Sequence, residues 1–461
     1  MKLTLSDLLG VEHAAMWNFD RLKEKSFTGV STDSRSVNEG EIFFAIRGEN
    51  FDGHQFVESA FRRGAACAVV DRQSDVGTYR RRPFVVIGDT TKTLGGLAHV
   101  YRKKFNIPFL AVAGSNGKTT TKEMIAKVLA SRYSVLSTEG NLNNHIGVPK
   151  TLFRLDGRHE IAVIEIGTNH FGELGNLCSV LGPTHGLITN IGREHLEFFG
   201  NLAGVARAEG ELFDAMGSSG TGFVNADDPR IGRLAKLLRR KVSYGFRAGG
   251  VRGKLAAFGT DGCAAFEVKQ RGRRAFAVGL RTPGLNAAEN ALAASAVGLY
   301  FGVPASDIAR VLGRFAGVGN RMEVLRVGGL TILNDTYNAN PESVLSALRT
   351  LELMSTTGKK IVVLADMLEL GGASRSEHEL IGKALNTMEF DCLMTYGPMA
   401  RHIHEKAAIR ARRHFDRKTT LSKRLADVAS STDIILVKGS RGMKMEEVVK
   451  FLQNRQGRKA A

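Results

Sequence analysis

The sequence lacks the features that mark membrane-spanning and disulfide-stabilised proteins. No apolar run approaches the roughly 18 to 20 residues needed to cross a bilayer, and acidic residues interrupt the N-terminal segment before an apolar signal-type core can form. Only four cysteines occur among 461 residues, and their wide separation fits neither a disulfide framework nor a metal-ligand spacing. We therefore expect a cytoplasmic protein without membrane insertion.

Acidic residues are scarce relative to basic ones, with 46 Asp and Glu against 64 Lys and Arg and a formal net charge of +18. Such an excess attracts polyanions, but phosphorylated small molecules satisfy it as well as nucleic acids do. Basic runs such as the one at residues 406–418 are typical either of a solvated face or of a binding surface. Because no arginine-aromatic motif is interleaved with them, we expect no nucleic-acid partner.

The chain is long enough for about three domains of ordinary size, and it shows neither solenoid repeats nor low-complexity segments. Short apolar runs alternate with helix-period stretches, which is typical of parallel sheets covered by helices. The pattern predicts an α/β protein with an N-terminal α/β domain over residues 1–107, a central domain with a parallel sheet over 108–318, and a C-terminal Rossmann-like domain over 319–461. Five strand candidates fall in the last domain.

The strongest local motif begins with the apolar strand FLAVA and continues through GSNGKTT into an amphipathic helix. Gly114 and Gly117 allow backbone N–H groups to turn toward a phosphate, Lys118 supplies a charge, and the Thr119 hydroxyl can ligate Mg²⁺. Val112 stands where the longer Walker pattern has glycine, so the match is to the shorter G-x-x-G-K-T form. The alternative is a glycine-rich turn with a surface lysine.

Three further residues are candidates for the chemistry of a phosphate site. Glu165 interrupts an apolar run, which predicts either a metal ligand or a core acid satisfied by hydrogen bonds. His195 follows the next strand and its loop, where a histidine on its own is more often structural. Glu209 lies on the apolar stripe of a helix and Glu211 on its opposite face, so Glu209 is either a site-facing carboxylate or part of a helix-edge salt bridge.

The segment GSNGKTT resembles the ATP-binding loop of the Mur ligase family, the ATP-dependent amide-forming enzymes of bacterial cell-wall precursor synthesis. The resemblance implies a three-domain fold, ATP and Mg²⁺ as cofactors, and activation of a carboxylate as an acyl phosphate. It assigns ATP binding to the whole loop and to residues that close on ATP. These are Gly114, Ser115, Asn116, Gly117, Lys118, Thr119, Thr120, Asn290, Arg321 and Asp335.

The family resemblance also implies the catalytic and metal-binding groups. Lys118, Glu165, His195 and Glu209 are the implied catalytic residues, and Thr119, Glu165, His195 and Glu209 are the implied metal ligands. Most members carry at the place of Glu209 a lysine that is carbamylated to create a carboxylate. This chain has no lysine between Lys150 and Lys236. We therefore expect Glu209 to supply the negative charge directly, with a side chain shorter than a carbamylated lysine.

Further stretches narrow the resemblance to family members that join D-alanyl-D-alanine to a UDP-N-acetylmuramoyl-tripeptide. These stretches are NLNNHIGVP, IEIGTNHFGEL, LNDTYNANPESV, LADMLELG and KGSRGMKM. Two departures occur, since Asn286 and Ala287 replace a usual His-Asn pair, and Ala365 replaces a usual glycine. The substrate-binding residues that the resemblance implies are Thr32, Ser34, Arg35, Asn141, Asn143, Asn144, Asn169, His170, Asn338 and Asn340.

The sequence is also compatible with two other functions. One is a Mur ligase that adds a single amino acid, and the other is a nucleotide-gated protein that holds nucleic acid on its basic surface. Steep salt dependence of nucleic-acid binding would indicate the second. We expect a monomer, and the sequence leaves open whether the third residue of the tripeptide is lysine or diaminopimelate.

Overall fold

A computed structural model describes residues 3–11, 15–18, 26–48, 51–72 and 82–460. By its internal contacts the chain divides into two compact units. The first comprises residues 1–111, 133–168 and 172–186, and the second comprises residues 112–132, 169–171 and 187–461. No helix within the described ranges combines the length and the apolar character needed to span a membrane.

The N-terminal part contains a five-stranded sheet with the order β2-β7-β6-β5-β4 and a separate β1-β3 pair. The β2–β7 and β1–β3 pairs are antiparallel, whereas the β4–β5, β5–β6 and β6–β7 pairs are parallel. The strands are β1 Leu3–Thr4, β2 Ala15–Trp17, β3 Ser26–Phe27, β4 Val30–Ser31, β5 Ile42–Phe44, β6 Cys67–Asp71 and β7 Phe84–Ile87, and the helices are α1 Leu5–Leu9, α2 Val57–Arg62 and α3 Thr90–Arg102. β5 is buried along its whole length, as its apolar run predicts.

The central nine strands have the order β16-β15-β14-β13-β12-β11-β8-β10-β9. Strands β14, β15 and β16 form an antiparallel meander. The strands are β8 Phe109–Ala113, β9 Val135–Ser137, β10 Ile161–Glu165, β11 His185–Ile188, β12 Thr221–Asn225, β13 Arg240–Gly245, β14 Val251–Phe258, β15 Cys263–Gln270 and β16 Phe276–Pro283. The helices are α4 Lys118–Leu129, α5 Gly147–Leu152, α6 Glu173–Leu181, α7 Leu196–Phe199, α8 Leu202–Met216, α9 Pro229–Leu234, α10 Leu285–Tyr300 and α11 Ala305–Gly313.

The C-terminal sheet has six strands in the order β17-β18-β22-β19-β20-β21, parallel except for the β17–β18 pair. The strands are β17 Glu323–Val327, β18 Leu330–Asp335, β19 Lys360–Ala365, β20 Cys392–Tyr396, β21 Ala411–Phe415 and β22 Ile434–Lys438, and the helices are α12 Pro341–Leu353, α13 Ser374–Ala384, α14 Ala400–Lys406, α15 Lys418–Val428 and α16 Glu446–Ala460. The five-strand prediction was one short. It missed β21, an edge strand whose first three residues are exposed and which carries no apolar run.

The predicted fold class is confirmed, since each large sheet is mostly parallel and covered by helices. The core of the C-terminal sheet lies between β18, β19 and β22 on one side and α15 and α16 on the other. Functional side chains in such sheets collect where the parallel strands end. β8, β10 and β18 end at Ala113, Glu165 and Asp335, each at or beside a predicted site residue.

Candidate active site

The loop between β8 and α4 has the backbone form of a phosphate cradle. Gly117 adopts a left-handed conformation and immediately precedes α4, and among the described residues no side chain caps this helix end. The helix N-terminus thus keeps its favourable dipole for an anion. Two residues that follow β11 hold the loop in place. The Asn116 N–H donates to Asn190 Oδ1 at 3.0 Å, and the Thr189 hydroxyl donates to the Asn116 carbonyl at 2.6 Å.

At both glycine positions of the loop a larger residue would clash with neighbouring atoms. Gly114 has φ +116°, and a Cβ there would lie 2.3 Å from Thr189 Oγ1. Gly117 has φ +80°, and its Cβ would lie 2.6 Å from Asn290 Oδ1. Asn290 also accepts a hydrogen bond from the Thr121 hydroxyl at 3.0 Å. Asn290, one of the predicted ATP-binding residues, is therefore packed directly against the phosphate loop.

Glu209 faces this loop from α8, whereas the helical stripe left open a site-facing carboxylate or a helix-edge salt bridge. Asn201 caps the helix through hydrogen bonds to the next turn, and Glu209 is 1% exposed. Its Oε2 accepts a hydrogen bond from the Gly114 N–H at 2.7 Å. Burial raises the pKa of the Glu209 carboxyl well above its ordinary range, the Lys118 ammonium opposes that rise, and the neighbouring Glu194 carboxyl adds to it.

Glu194 is a member of this cluster that the sequence analysis missed. It is 7% exposed, and its Oε2 lies 3.7 Å from Lys118 Nζ. Glu194 is also close enough to Glu209 to raise the pKa of the Glu209 carboxyl. The residue follows Arg193 in a loop without apolar periodicity, so its position carries no sequence signal apart from the neighbouring His195.

His195 lies beside the same carboxylates but also faces the C-terminal part of the chain. It has a left-handed conformation at the start of α7. Its Nε2 is 3.9 Å from Glu194 Oε2, and its Nδ1 is 2.5 Å from Glu369 Oε2. The His195 ring lowers the pKa of the Glu369 carboxyl. Glu369 belongs to the LADMLELG stretch, so His195 links that motif to the surroundings of the phosphate loop.

Arg193 joins the loop of Glu194 to two helices of the C-terminal part. Its Nε lies 2.6 Å from Glu342 Oε1 on α12, and one terminal nitrogen lies 2.9 Å from Glu377 Oε2 on α13. The Arg193 backbone N–H also donates to Glu342 at 2.9 Å. A forked guanidinium suits such simultaneous pairing. A parallel link joins Asn340 Nδ2 to Asn116 Oδ1 at 3.0 Å, so this predicted substrate residue contacts the phosphate loop.

The other predicted residues of the C-terminal part form a group around the end of β18. Asp335 lies 2.6 Å from Lys438 Nζ, and Lys438 is buried and also donates to the Asn338 carbonyl at 2.8 Å. The Arg321 guanidinium stacks over the Tyr337 ring at 3.7 Å. The sequence analysis quoted the KGSRGMKM stretch without singling out Lys438, although a lysine ending an apolar strand is an unusual pattern.

Glu165 lies in the first unit at the end of β10 and is 1% exposed. Its Oε1 accepts a hydrogen bond from Asn143 Nδ2 at 2.9 Å, and its backbone N–H donates to the Thr138 hydroxyl at 2.9 Å. Asn143 is thus adjacent to the carboxylate, whereas Asn144 accepts hydrogen bonds from the first turn of α5. Asn141 is exposed and contacts Asn143 through its backbone carbonyl.

The remaining predicted substrate residues belong to two segments of the chain. Thr32, Ser34 and Arg35 follow β4, and the 87% exposed Arg35 side chain is paired with Asp33 at 2.8 Å. This pairing lowers the pKa of Asp33 to about 2. Asn169 and His170 belong to the second unit, where the His170 ring lies 4.3 Å from the Phe198 ring.

The residues at the phosphate loop suit a Mg²⁺ ion that is shared with substrate phosphates better than a metal ion bound by protein ligands alone. In the described ranges no three His, Cys, Asp or Glu side chains form a ready metal cage. Mg²⁺ characteristically uses one or two carboxylates together with substrate phosphates and water. A buried carboxyl oxygen, Glu194 Oε1, accepts no hydrogen bond within the part of the chain that the structure describes. A buried oxygen of this kind is suited to a cation.

Taken together, the phosphate cradle, the facing carboxylates and the linked C-terminal sheet define a nucleotide-dependent ligase of the three-domain type. Sequence profiles of the Mur ligases match most of the chain. The family's catalytic domain matches residues 26–133, its middle domain 112–298, and its glutamate ligase domain 320–441. The chain belongs to the Mur ligase family, which confirms the predicted resemblance.

Particular relatives within the family match over nearly their whole length. The chain is 35% identical to the UDP-N-acetylmuramoyl-tripeptide–D-alanyl-D-alanine ligase of Bacillus subtilis, over 92% of this chain and 93% of that protein. It is 33% identical to the Escherichia coli ligase of the same name, over 98% and 99%. Among solved structures, MurF from Acinetobacter baumannii superimposes with a TM-score of 0.90 at 30% identity over 98% and 99%. MurF from Thermotoga maritima in complex with ADP gives 0.84 at 27% identity over 94% and 98%.

Proposed function

We propose that this protein joins D-alanyl-D-alanine to UDP-N-acetylmuramoyl-tripeptide at the cost of ATP, in the synthesis of peptidoglycan precursors. The observation that carries the proposal is the near full-length match to ligases of that name, at 33 to 35% identity. The phosphate loop supports it, because the loop presents Lys118 and a helix N-terminus beside two buried carboxylates. Since UDP-linked precursors and ATP are cytoplasmic compounds, the reaction belongs in the cytoplasm, and we expect the protein to act as a monomer.

The reaction divides into two transfers, and neither needs an enzyme nucleophile. The terminal carboxylate of the tripeptide attacks the γ-phosphorus of ATP, forming an acyl phosphate and releasing ADP. The amine of D-alanyl-D-alanine then attacks the acyl carbon, phosphate leaves, and the amine loses its proton as the amide forms. Lys118 and the loop N–H groups stabilise charge on the transferring phosphoryl group. Closure around the acyl phosphate protects it from water.

Thr119 and Glu209 would hold Mg²⁺ at the phosphate loop, and the ion supplies charge neutralisation at the phosphates when bound. The family resemblance implies Glu165 and His195 as further ligands. Thr119 lies in the first turn of α4, and Glu209 faces the loop from α8. Glu209 takes the place at which most family members have a carbamylated lysine. A carboxylate that belongs to the side chain needs no carbon dioxide for its formation.

Two residues of the C-terminal part and Asn290 of α10 are further candidates for contact with ATP. Arg321 and Asp335 lie near the end of β18, and Asn290 is packed against the phosphate loop. Thr32, Ser34 and Arg35 would bind the uridine diphosphate portion. Asn143, beside Glu165, is placed to orient a polar substrate through its amide.

A substrate panel tests the proposed function. Purified protein is given ATP, Mg²⁺ and UDP-N-acetylmuramoyl-tripeptide ending in either lysine or diaminopimelate, and phosphate release is measured with D-alanyl-D-alanine or with single amino acids. We expect turnover only with the dipeptide. Turnover with a free amino acid in its place would indicate a ligase of different specificity, and no phosphate release with any acceptor would refute ligase activity.

A further inference from the structure

Glu194 occupies a position for which the proposed reaction, as described above, has no role. Its carboxylate is 92% buried, which is costly for a charged group unless other groups compensate it. Its Oε2 is 3.7 Å from Lys118 Nζ. Its Oε1 is buried and accepts no hydrogen bond within the described chain. One oxygen thus faces the phosphate loop, and the other is available to a further ligand.

The charges around Glu194 do not balance when ATP is added. Glu194 and Glu209 place two buried carboxyl groups beside the ammonium of Lys118. The phosphates of ATP bring several more negative charges to the same loop, and they compete with Glu194 for Lys118. Two buried carboxylates that face a polyphosphate need a cation between them. A divalent cation that bridges carboxylate and phosphate oxygens meets this requirement.

The loop of Glu194 is fixed tightly enough to present a ligand. The Ser115 hydroxyl accepts a hydrogen bond from the Gly192 N–H at 2.8 Å, which ties the loop to the phosphate loop. Arg193 is anchored to Glu342 and Glu377 on either side. Glu194 therefore sits between two anchored neighbours, Arg193 and His195. Such support holds a metal-binding side chain in a defined position.

We propose that Glu194 is a ligand of the divalent cation that accompanies ATP, acting as a pair with Glu209. The inference rests on the proposed function, since it takes Mg²⁺·ATP to be the bound nucleotide. Glu209 has one oxygen committed to the Gly114 N–H at 2.7 Å, so Glu209 offers the cation at most its second oxygen. Glu194 supplies an additional carboxylate beside Lys118.

Manganese binding tests this proposal independently of turnover. The full-length protein is saturated with ADP, Mn²⁺ is titrated, and free Mn²⁺ is followed by electron paramagnetic resonance. We expect E194Q to weaken Mn²⁺ binding by about tenfold or more, while its melting temperature stays close to that of the wild type. E197Q is the matched control, because Glu197 lies three residues away and is exposed. It should bind Mn²⁺ like the wild type.

A second measurement separates a metal ligand from a counterion of Lys118. ADP affinity is determined in EDTA for the wild type and for E194Q. If Glu194 only pairs with Lys118, E194Q changes ADP affinity without metal and leaves Mn²⁺ affinity unaltered, and this overturns the proposal. If E194Q does not fold, E194D is used, and unchanged Mn²⁺ affinity in E194D likewise counts against it. Failure of the wild type to bind Mn²⁺ with ADP would instead refute the proposed nucleotide function.

Discussion

Two helices of the second unit each carry a glutamate with a raised pKa, fully buried on α8 and partly buried on α10, and the two acids have different surroundings. Glu209 on α8 accepts a hydrogen bond from the Gly114 N–H and faces Lys118. Glu289 on α10 has the like-charged Asp227 as its neighbour, and the opposing Arg247 is 81% exposed. Burial is the largest cause that raises the pKa of each carboxyl, and for Glu289 it reaches about 7.

The difference shows that burial of an acid does not by itself identify a functional site. Both acids are costly to ionise, but only Glu209 is met by donors and a cation from a loop built for phosphates. Glu289 instead lies beside Asp227, which accepts hydrogen bonds from the backbone N–H groups of Phe246, Arg247 and Ala248. We therefore expect changes at Glu209 to affect turnover and changes at Glu289 to affect stability.

The largest effect should come from the cation that faces Glu209. K118A removes the charge that stabilises the transferring phosphoryl group, and we expect ligase turnover to fall by about a thousandfold or more. Phosphate release measures the loss, and circular dichroism should report an unchanged fold. K127A is the control, since Lys127 is an exposed lysine on the same helix α4. Substantial turnover by K118A would contradict the role of this loop.

A smaller but still large loss is expected when Glu209 itself is neutralised. E209Q keeps the size of the side chain but removes its charge, and kcat should fall by about a hundredfold. Stability should be maintained or improved, because the neutral amide is less costly to bury. D214N provides the comparison, because Asp214 is exposed near the end of α8. Unchanged activity, or rescue of E209A by bicarbonate, would show that Glu209 does not supply the negative charge.

The two acids also show what could be predicted from the sequence. The phosphate loop was predicted because its glycines, lysine and threonines are contiguous, and Glu209 because it interrupts a helical stripe. Glu194 was missed because its neighbours come from α8 and the phosphate loop, which are distant in sequence. Proximity of this kind follows from the order of strands in the sheet, and periodicity within one segment does not report it.

The same reasoning explains the outcome in the C-terminal part. The apolar runs predicted β18, β19, β20 and β22, because buried parallel strands are apolar throughout. β21 was missed because an edge strand exposed on one face can be polar and basic. Arg193 was not predicted either, since its partners Glu342 and Glu377 are more than a hundred residues away. Contacts between sheets are set by tertiary packing, for which a single sequence holds no local signal.

Arg193 supports the loop of Glu194 and His195 near Glu209, and we expect its removal to have an effect of intermediate size. R193A should lower kcat about tenfold, because it frees the loop of Glu194 and His195 from α12 and α13. It should also reduce stability by about 1 to 2 kcal/mol, since the side chains of Arg193 and Glu377 are 25% and 13% exposed. A double-mutant cycle with E377Q measures the coupling between the two residues.

The exposed Arg375–Glu379 pair on α13 is a matched control for that cycle, with Arg375 71% exposed. Its coupling should be no more than about 0.5 kcal/mol. R193K should restore little activity, because an ammonium cannot reproduce the fork between two carboxylates. Equal coupling energies for the two pairs would mean that Arg193 is an ordinary surface charge.

The smallest effect is expected at Glu289 and should be confined to stability. The folded protein holds this carboxyl protonated up to about pH 7, whereas the ordinary pKa is 4.5. Between these values the unfolded chain ionises and the folded one does not, so stability falls as the pH rises and then levels off above pH 7. E289Q removes this penalty, which amounts to at most about 3 kcal/mol.

E289Q should therefore raise the melting temperature by a few degrees at pH 8, and most of that gain should vanish at pH 5. Turnover should change little, in contrast to E209Q. E267Q controls for the loss of one negative charge, because Glu267 is a half-exposed carboxylate on the neighbouring strand β15, and its substitution should have no pH-dependent effect. An equal gain at both pH values would show that packing, and not ionisation, distinguishes Glu289. A large loss of turnover would place Glu289 in the same class as Glu209 and remove the contrast between the two helices.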